Sequence, residues 1–444
     1  MTAEIAILNR SAVALAADSA VTAKEKDSLK IYNTVNKLFT LSKHHPVGIM
    51  IYGSANIMGV PWETIIKIFR QKLRDKRYDT LDEYAESLIT FLDNNNSLFP
   101  TELQDEYSKY SIQKCLLHVE EQIDKKVKQK TEEPAKLNEN DLRAITTEII
   151  HSNFEQFESS ESLKHLPRNF STTITQKYKD FISTEIKRIF EKLPITSESR
   201  KKLVKIAGHY FSKKIFSANY SGIVIAGFGD KDIFPVLKSY KIEAIYNKRL
   251  KYQYTEDERA RITFNTSAQI IPFAQRDNVH TFVEGIDPKC MDVIFGFLNE
   301  LLTHYPRNIV DSLKLENEDE KEQLISKLNK ISRTVLEDFD RNIKQYIQDK
   351  NIYPIVRAVN FLPIDELASM AESLVNLTSF KQKISMDSET VGGPIDVAVI
   401  SKGDGFVWIK RKHYFKPELN PHYLTKYFDK NDKESHNENS NGEP

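Results

Sequence analysis

Long blocks of strand-like and helix-like sequence alternate along this chain, and that alternation limits its possible folds more than any single motif does. Residues 3–17 (AEIAILNRSAVALAA) contain two short apolar segments around an Asn9-Arg10-Ser11 turn. Ile5, Ile7, Val13 and Leu15 alternate as in a hairpin packed on one face. A second strand pair is expected at 37–41 (KLFTL) and 47–53 (VGIMIYG), joined through a Ser-Lys-His-His-Pro turn. From about Pro61 to Lys214 the apolar spacing becomes helical, beginning with Trp62, Ile65, Ile66, Ile68 and Phe69, with loops at 94–101 and 131–141. Strand character returns at 222–227, 234–246 and 261–273, and a second helical stretch covers about 288–350, with a strongly charged part at 314–334. Pro363-Ile364-Asp365-Glu366 reads as a helix start, its acids near the positive end of the helix dipole, and Leu367, Met370, Ala371, Leu374 and Val375 give that helix an apolar face. Residues 395–400 and 405–409 then read as a hairpin around Lys402-Gly403-Asp404. Two sheets enclosed by helices would satisfy this order.

A chain of 444 residues is longer than one compact domain usually needs, so it holds two domains or one domain with large insertions. Its 63 basic and 63 acidic residues cancel, and that balance points away from nucleic acid or an anionic membrane as the main partner. Cys115 and Cys290 lie far apart, which argues against a disulfide framework or a cysteine zinc site. No basic stretch with a long apolar core opens the chain, and no apolar run approaches the roughly 20 residues of a membrane span. A cytoplasmic protein is expected. The basic and aromatic run at 408–414 reads as a strand with charged residues in solvent, and His44-His45 has no second ligand cluster nearby. The polar tail from about Asp429 is expected to be disordered.

The chemistry is concentrated near the start. Removal of Met1 would leave Thr2 with a hydroxyl and a free α-amine on one residue, and an amine with a reference pKa of about 8 can accept the hydroxyl proton. Asp18 ends the apolar run Val13–Ala17, where a carboxylate needs partners. Lys37 opens the apolar strand Leu38–Leu41, so its ammonium should also lie near a sheet end. A Lys37–Asp18 pair beside Thr2 would favour the alkoxide and lower the amine pKa, with Asp18 keeping Lys37 charged and oriented. Tyr52-Gly53-Ser54-Ala55 follows a strand, and a turn there leaves backbone N–H groups that can hold an oxyanion.

Together these residues resemble the proteasome β-subunit and HslV family. Its opening Thr, its A-A-D-S-R-x-T segment, its Lys before an apolar strand and its A-G-G/S-A-A-D turn correspond in order to Thr2, LAADSAVT (15–22), KLFTL (37–41) and YGSAN (52–56). The hairpin VGGPIDVAVISKGDGFVWI (391–409), IVIAGFGD (223–230) and ITFNTSAQIIPFAQ (262–275) look like later family strands. About 170 residues are covered, in separated blocks. The sequence departs from the family where a G-S-G-S serine is usual, with Phe273 or a neighbour there, and ahead of the Gly-Gly, where Ser388 and Val391 align beside Asp387 and Thr390.

The resemblance implies an α+β fold, a four-layer α/β/β/α sandwich. Its core would be 2–60, 216–300 and 356–428, with helical insertions at 61–215 and 301–355 and a tail at 429–444. It makes Thr2 nucleophile and base, Lys37 the pKa-lowering group, Asp18 the residue that orients Lys37, and Gly53 or Tyr52 the oxyanion N–H donor. Thr22 corresponds to a substrate-backbone contact, and Tyr52 and Ser54 border the same subsite. The implied reaction is amide hydrolysis on a peptide or protein substrate, without metal or cofactor. Self-association is expected, with an ATPase or another protein as a possible further partner. The alternative is an inactive proteasome-like scaffold that binds a partner through its helical insertions, or an amidase for a small molecule.

Overall fold

The apolar start of the chain folds as β1 (Ala3–Asn9) and β2 (Ala12–Ala17), and both strands are buried throughout, on two faces rather than the one expected. The structure, a computed structural model, describes residues 2–25, 28–131, 138–313, 315, 317–384, 391–413 and 415–422. Strands β3 (Val21–Glu25), β4 (Ser28–Tyr32), β5 (Leu38–Thr40), β6 (Val47–Gly53), β7 (Asn56–Ile57) and β8 (Val60–Pro61) follow. The first helical block comprises α1 (Trp62–Leu73), α2 (Leu81–Asp93), α3 (Thr101–Thr131), α4 (Glu139–Ser159), α5 (Phe170–Lys177), α6 (Lys179–Ile189) and α7 (Ser197–Ser212). Next come β9 (Ser221–Gly227), β10 (Val236–Tyr246), β11 (Arg249–Tyr254), β12 (Ala260–Arg261) and β13 (Ala268–Ala274). The expected single strand at 261–273 is therefore broken. Thr263 Oγ1 accepts the N–H groups of Asn265 and Thr266, which closes a turn between β12 and β13. Helices α8 (Asp277–Glu284), α9 (Pro288–Ser312), α10 (Glu318–Ile347), α11 (Tyr353–Phe361) and α12 (Ile364–Ile384) lead to the hairpin β14 (Asp396–Ser401) and β15 (Gly405–Lys410). The polar tail from Asp429 lies outside the described residues.

Among the described residues the molecule is mixed α and β, with two main antiparallel sheets. The first has the order β13-β1-β2-β14-β15, and the second β11-β10-β9-β6-β5 with β12 beside β10. Alternation along β1 explains its complete burial. Ala6 and Leu8 join Val13 and Leu15 of β2, Met50 of β6 and Val224 and Ala226 of β9 in a core between the sheets. Ile5 and Ile7 point the other way, with Ala12, Ala14 and Ala16, to meet Leu367, Ala371 and Leu374 of α12. The small alanine side chains of β2 let α12 lie close to the sheet. The far face of the second sheet, with Ile49, Ile51, Ile223 and Ile225, packs on the first helical block through Trp62, Ile66, Leu88, Leu116 and Phe211. In contrast, α10 buries none of its residues, as its charged sequence leads one to expect. No helix among the described residues is long and apolar enough to cross a membrane.

Candidate active site

Register brings three strand ends of the first sheet to one place. Ala17 of β2 stands between Glu4 of β1 and Asp396 of β14, and Glu4 also faces Phe273 of β13. Thr2 just ahead of β1, Asp18 just beyond β2 and Gly392 on the approach to β14 therefore share one end of the sheet. Asp18 is the tie. Its Oδ1 accepts the Ala3 N–H at 3.0 Å, and its Oδ2 accepts the N–H groups of Gly392 at 3.0 Å and Ala20 at 3.2 Å. Its own N–H donates to the Ala3 carbonyl at 3.1 Å.

Lys37 reaches this place from the second sheet. It directly precedes β5, and its carbonyl accepts the Ile51 N–H of β6 at 2.8 Å, which holds the main chain against that strand. Its ammonium lies 2.5 Å from Asp18 Oδ1 and 3.1 Å from Glu4 Oε1. Glu4 Oε2 in turn accepts the Thr2 hydroxyl at 3.0 Å. Thr2, Asp18 and Lys37 are thus brought together, but the link between Thr2 and Lys37 runs through a carboxylate absent from the expected set. All four residues are nearly sealed from water, with relative exposures of 3% for Thr2, 0% for Glu4, 1% for Asp18 and 3% for Lys37.

Burial pushes the Glu4 carboxyl up from its ordinary 4.5 to about 7. The Lys37 charge and the hydrogen bonds from Thr2 and Lys37 pull it down, and Asp18 adds to the rise. Desolvation is the main cause, and the second carboxylate adds to it. Two carboxylates share one ammonium where water cannot compensate, so the cluster favours holding one extra proton. Sequence reasoning missed Glu4. The available signal was its parity, since it shares the inter-sheet face of Ala6 and Leu8, where an acid has to find partners.

The turn after β6 is built partly as expected. Gly53 closes the strand at φ 74°, and a side chain there would meet the Tyr220 carbonyl at 2.6 Å. Ser54 spends its N–H on the Tyr220 carbonyl at 3.1 Å and its hydroxyl on the Asn56 carbonyl at 2.9 Å. The Tyr52 side chain turns into the core, its ring lying against Gly222 and 5.4 Å from the Phe273 ring. Its phenol donates to Glu258 Oε2 at 2.6 Å, and Ser239 donates to the same oxygen at 2.6 Å. Arg276 pairs with the other Glu258 oxygen. Burial pushes the Tyr52 phenol well above its ordinary range, so it serves here as a donor.

Thr22 lies on β3 opposite Ile31, and its side chain is outside the described residues. Asp387, Ser388 and Thr390 are outside them as well. Val391 is buried, and its N–H donates to Gln382 Oε1 at 3.0 Å. Among the described residues no group of three or more His, Cys, Asp or Glu side chains is placed to hold a metal ion. Comparison with known protein families finds no match, and neither does comparison with curated proteins.

Proposed function

We propose that this chain is an N-terminal-nucleophile hydrolase of the proteasome β-subunit and HslV kind, which cleaves peptide or other amide bonds through an acyl-enzyme on Thr2 once Met1 is removed. The observation that carries this reading is the buried chain of contacts from the Thr2 hydroxyl through Glu4 to Lys37 and Asp18. A fold gains little from sealing two acids and a lysine around the second residue, because desolvation costs each ion several kcal/mol. Clusters of this kind mark sites of chemistry more often than sites of adhesion.

The order of layers supports the same reading. Helices, sheet, sheet and helices stack through three apolar cores, as in a four-layer α/β/β/α sandwich with insertions at 61–215 and 301–355. In the proposed reaction Thr2 Oγ1 attacks the amide carbonyl and an N–H at Tyr52 or Gly53 steadies the oxyanion. The C–N bond then breaks, the amine leaves with a proton, and water hydrolyses the ester. Lys37 offsets part of the negative charge that the alkoxide adds, and Asp18 fixes Lys37. Thr2 has to be reached by a carbonyl, and excision of Met1 takes away the residue bonded to its nitrogen. Self-association and a cytoplasmic setting belong to the same proposal.

One observation favours the scaffold alternative. Val293, Phe297, Leu301 and Tyr305 recur every four residues along α9 and are 45–71% exposed, which suits a helix that grips a partner. The two readings separate in one experiment. Intact mass should show the loss of Met1, and a peptide epoxyketone, which needs hydroxyl and amine on one residue, should then label wild type but not Thr2→Ala. Met1-free protein that stays unlabelled would end the hydrolase reading.

A further inference from the structure

The family resemblance gives the proton-accepting role to the α-amine of Thr2 and leaves a buried acid, in contact with the reacting hydroxyl, without a task. We propose that Glu4 is the base that takes the Thr2 hydroxyl proton. This inference rests on the threonine-hydrolase reading above and changes which group moves the proton.

The geometry singles out one oxygen. Glu4 Oε2 receives the Thr2 hydroxyl at 3.0 Å, inside the reach a general base needs, and Oε1 faces Lys37 at 3.1 Å. Lys37 is itself fixed at 2.5 Å by Asp18, so the Glu4 carboxylate is held with its second oxygen on the nucleophile. Asp18 is not free for the task. Its Oδ1 already carries Lys37 and the Ala3 N–H, and its Oδ2 carries the N–H groups of Ala20 and Gly392.

Charge supports the same division of labour. Asp18 and Glu4 outnumber Lys37, so an α-amine released on Thr2 gains by being charged. A charged amine is no base. The groups facing Glu4 are the Thr2 hydroxyl, Asp18 beyond β2, Lys37 ahead of β5 and, at longer range, the Tyr52 phenol of β6. With Met1 attached, burial raises the Glu4 carboxyl to about 7, and a charged α-amine released on Thr2 lowers it from there, so Glu4 is ionised at neutral pH as a base must be.

The steps balance without any other reactant. As Oγ1 bonds to the carbonyl carbon, its proton passes to Glu4 Oε2 and the C=O pair moves onto oxygen. When the tetrahedral species collapses, the C–N bond breaks and the Glu4 proton goes to the departing amine. In deacylation Glu4 accepts a proton from water, the hydroxide adds to the ester, and Oγ1 leaves with that proton.

The test uses full-length, Met1-free protein and a peptidyl β-lactone, with acylation of Thr2 followed by intact mass between pH 5 and 9. Wild-type labelling should rise as Glu4 ionises, with a midpoint below about pH 7, and then level. Glu4→Gln should label about 100-fold more slowly or worse and lose that rise. Glu4→Asp should keep a rise, displaced in pH, at an intermediate rate. A Glu4→Gln rate within threefold of wild type, with the same rise, overturns the assignment while leaving Thr2 as nucleophile. If Glu4→Gln does not fold, Glu4→Asp decides, since an unchanged rate and midpoint would equally overturn it. Undiminished labelling of Thr2→Ala is a different failure, that of the threonine reading itself.

Discussion

Among the described residues the molecule buries two lysines beside carboxylates, and they are built to opposite ends. Lys251 of β11 is sealed between the second sheet and α7, where its ammonium donates to the Tyr210 and Ile215 carbonyls, each at 2.6 Å, and lies 2.7 Å from Glu243 Oε2. Glu243 Oε1 accepts the Tyr210 phenol and the Ser217 N–H. One acid meets one base, and the remaining bonds end on backbone or on Tyr210. Burial lowers the Lys251 pKa and Glu243 opposes that shift. At Lys37 two acids share one ammonium, and the spare carboxylate oxygen faces a hydroxyl. A buried lysine alone is therefore no sign of a site. The proposal at Thr2 rests instead on a carboxylate in excess beside a hydroxyl.

The largest expected effect tests the balanced pair. Lys251→Met leaves Glu243 buried without its partner and should lower stability in urea unfolding by about 3–5 kcal/mol. Labelling of Thr2 by the folded protein should be unchanged, and a benign Lys251→Met would mean the two lysine sites do not differ as described.

The next effect tests the mismatch through pH. Glu4 titrates near 7 when folded against an ordinary 4.5, so between those values the native state binds the additional proton. Its contribution to stability is complete below about pH 4.5 and is lost as pH rises through 7. Wild type should therefore gain on Glu4→Gln by about 3 kcal/mol as pH falls from 8 to 4.5, read as the difference between two denaturation series. Parallel curves would show that Glu4 carries no excess charge.

A smaller effect separates chemistry from support. Thr2→Val keeps the shape and removes one hydrogen bond to Glu4, so it should change stability by about 1 kcal/mol while abolishing labelling. The smallest concerns Cys115, buried in the helical layer near Lys251, where burial pushes its thiol up to about 12. In native protein a disulfide reagent should modify the exposed Cys290 and spare Cys115 until urea opens that layer. Early reaction at Cys115 would mean the region around Lys251 is less sealed than the site at Thr2.

The residues at strand ends were the legible part of the site. Asp18 and Lys37 stand where apolar runs meet polar sequence, and such a boundary is visible without coordinates. Glu4 was passed over despite its parity with Ala6 and Leu8, because one acid near a chain start reads as solvated when β1 is assigned a single buried face. Periodicity identified β1, β2, β6 and α12, whose apolar faces are continuous. It passed over β3 and β4, whose sequences VTAKE and SLKIY alternate too weakly. It merged β12 with β13, because the turn at Thr263 is made by side-chain hydrogen bonds that leave the apolar pattern intact. Pairing was beyond its reach. Nothing in the local pattern says that β1 takes β13 as its neighbour.

That pairing sets a timetable for the growing polypeptide. Ala3 cannot meet Ala274 until the ribosome has added some 270 further amino acids, which takes on the order of tens of seconds at ordinary elongation rates. Throughout that interval the start of β1 lacks one flank, and β14, on the outer side of β2, arrives later still. The proposed removal of Met1 would fall in this window, before the sheet closes over Thr2.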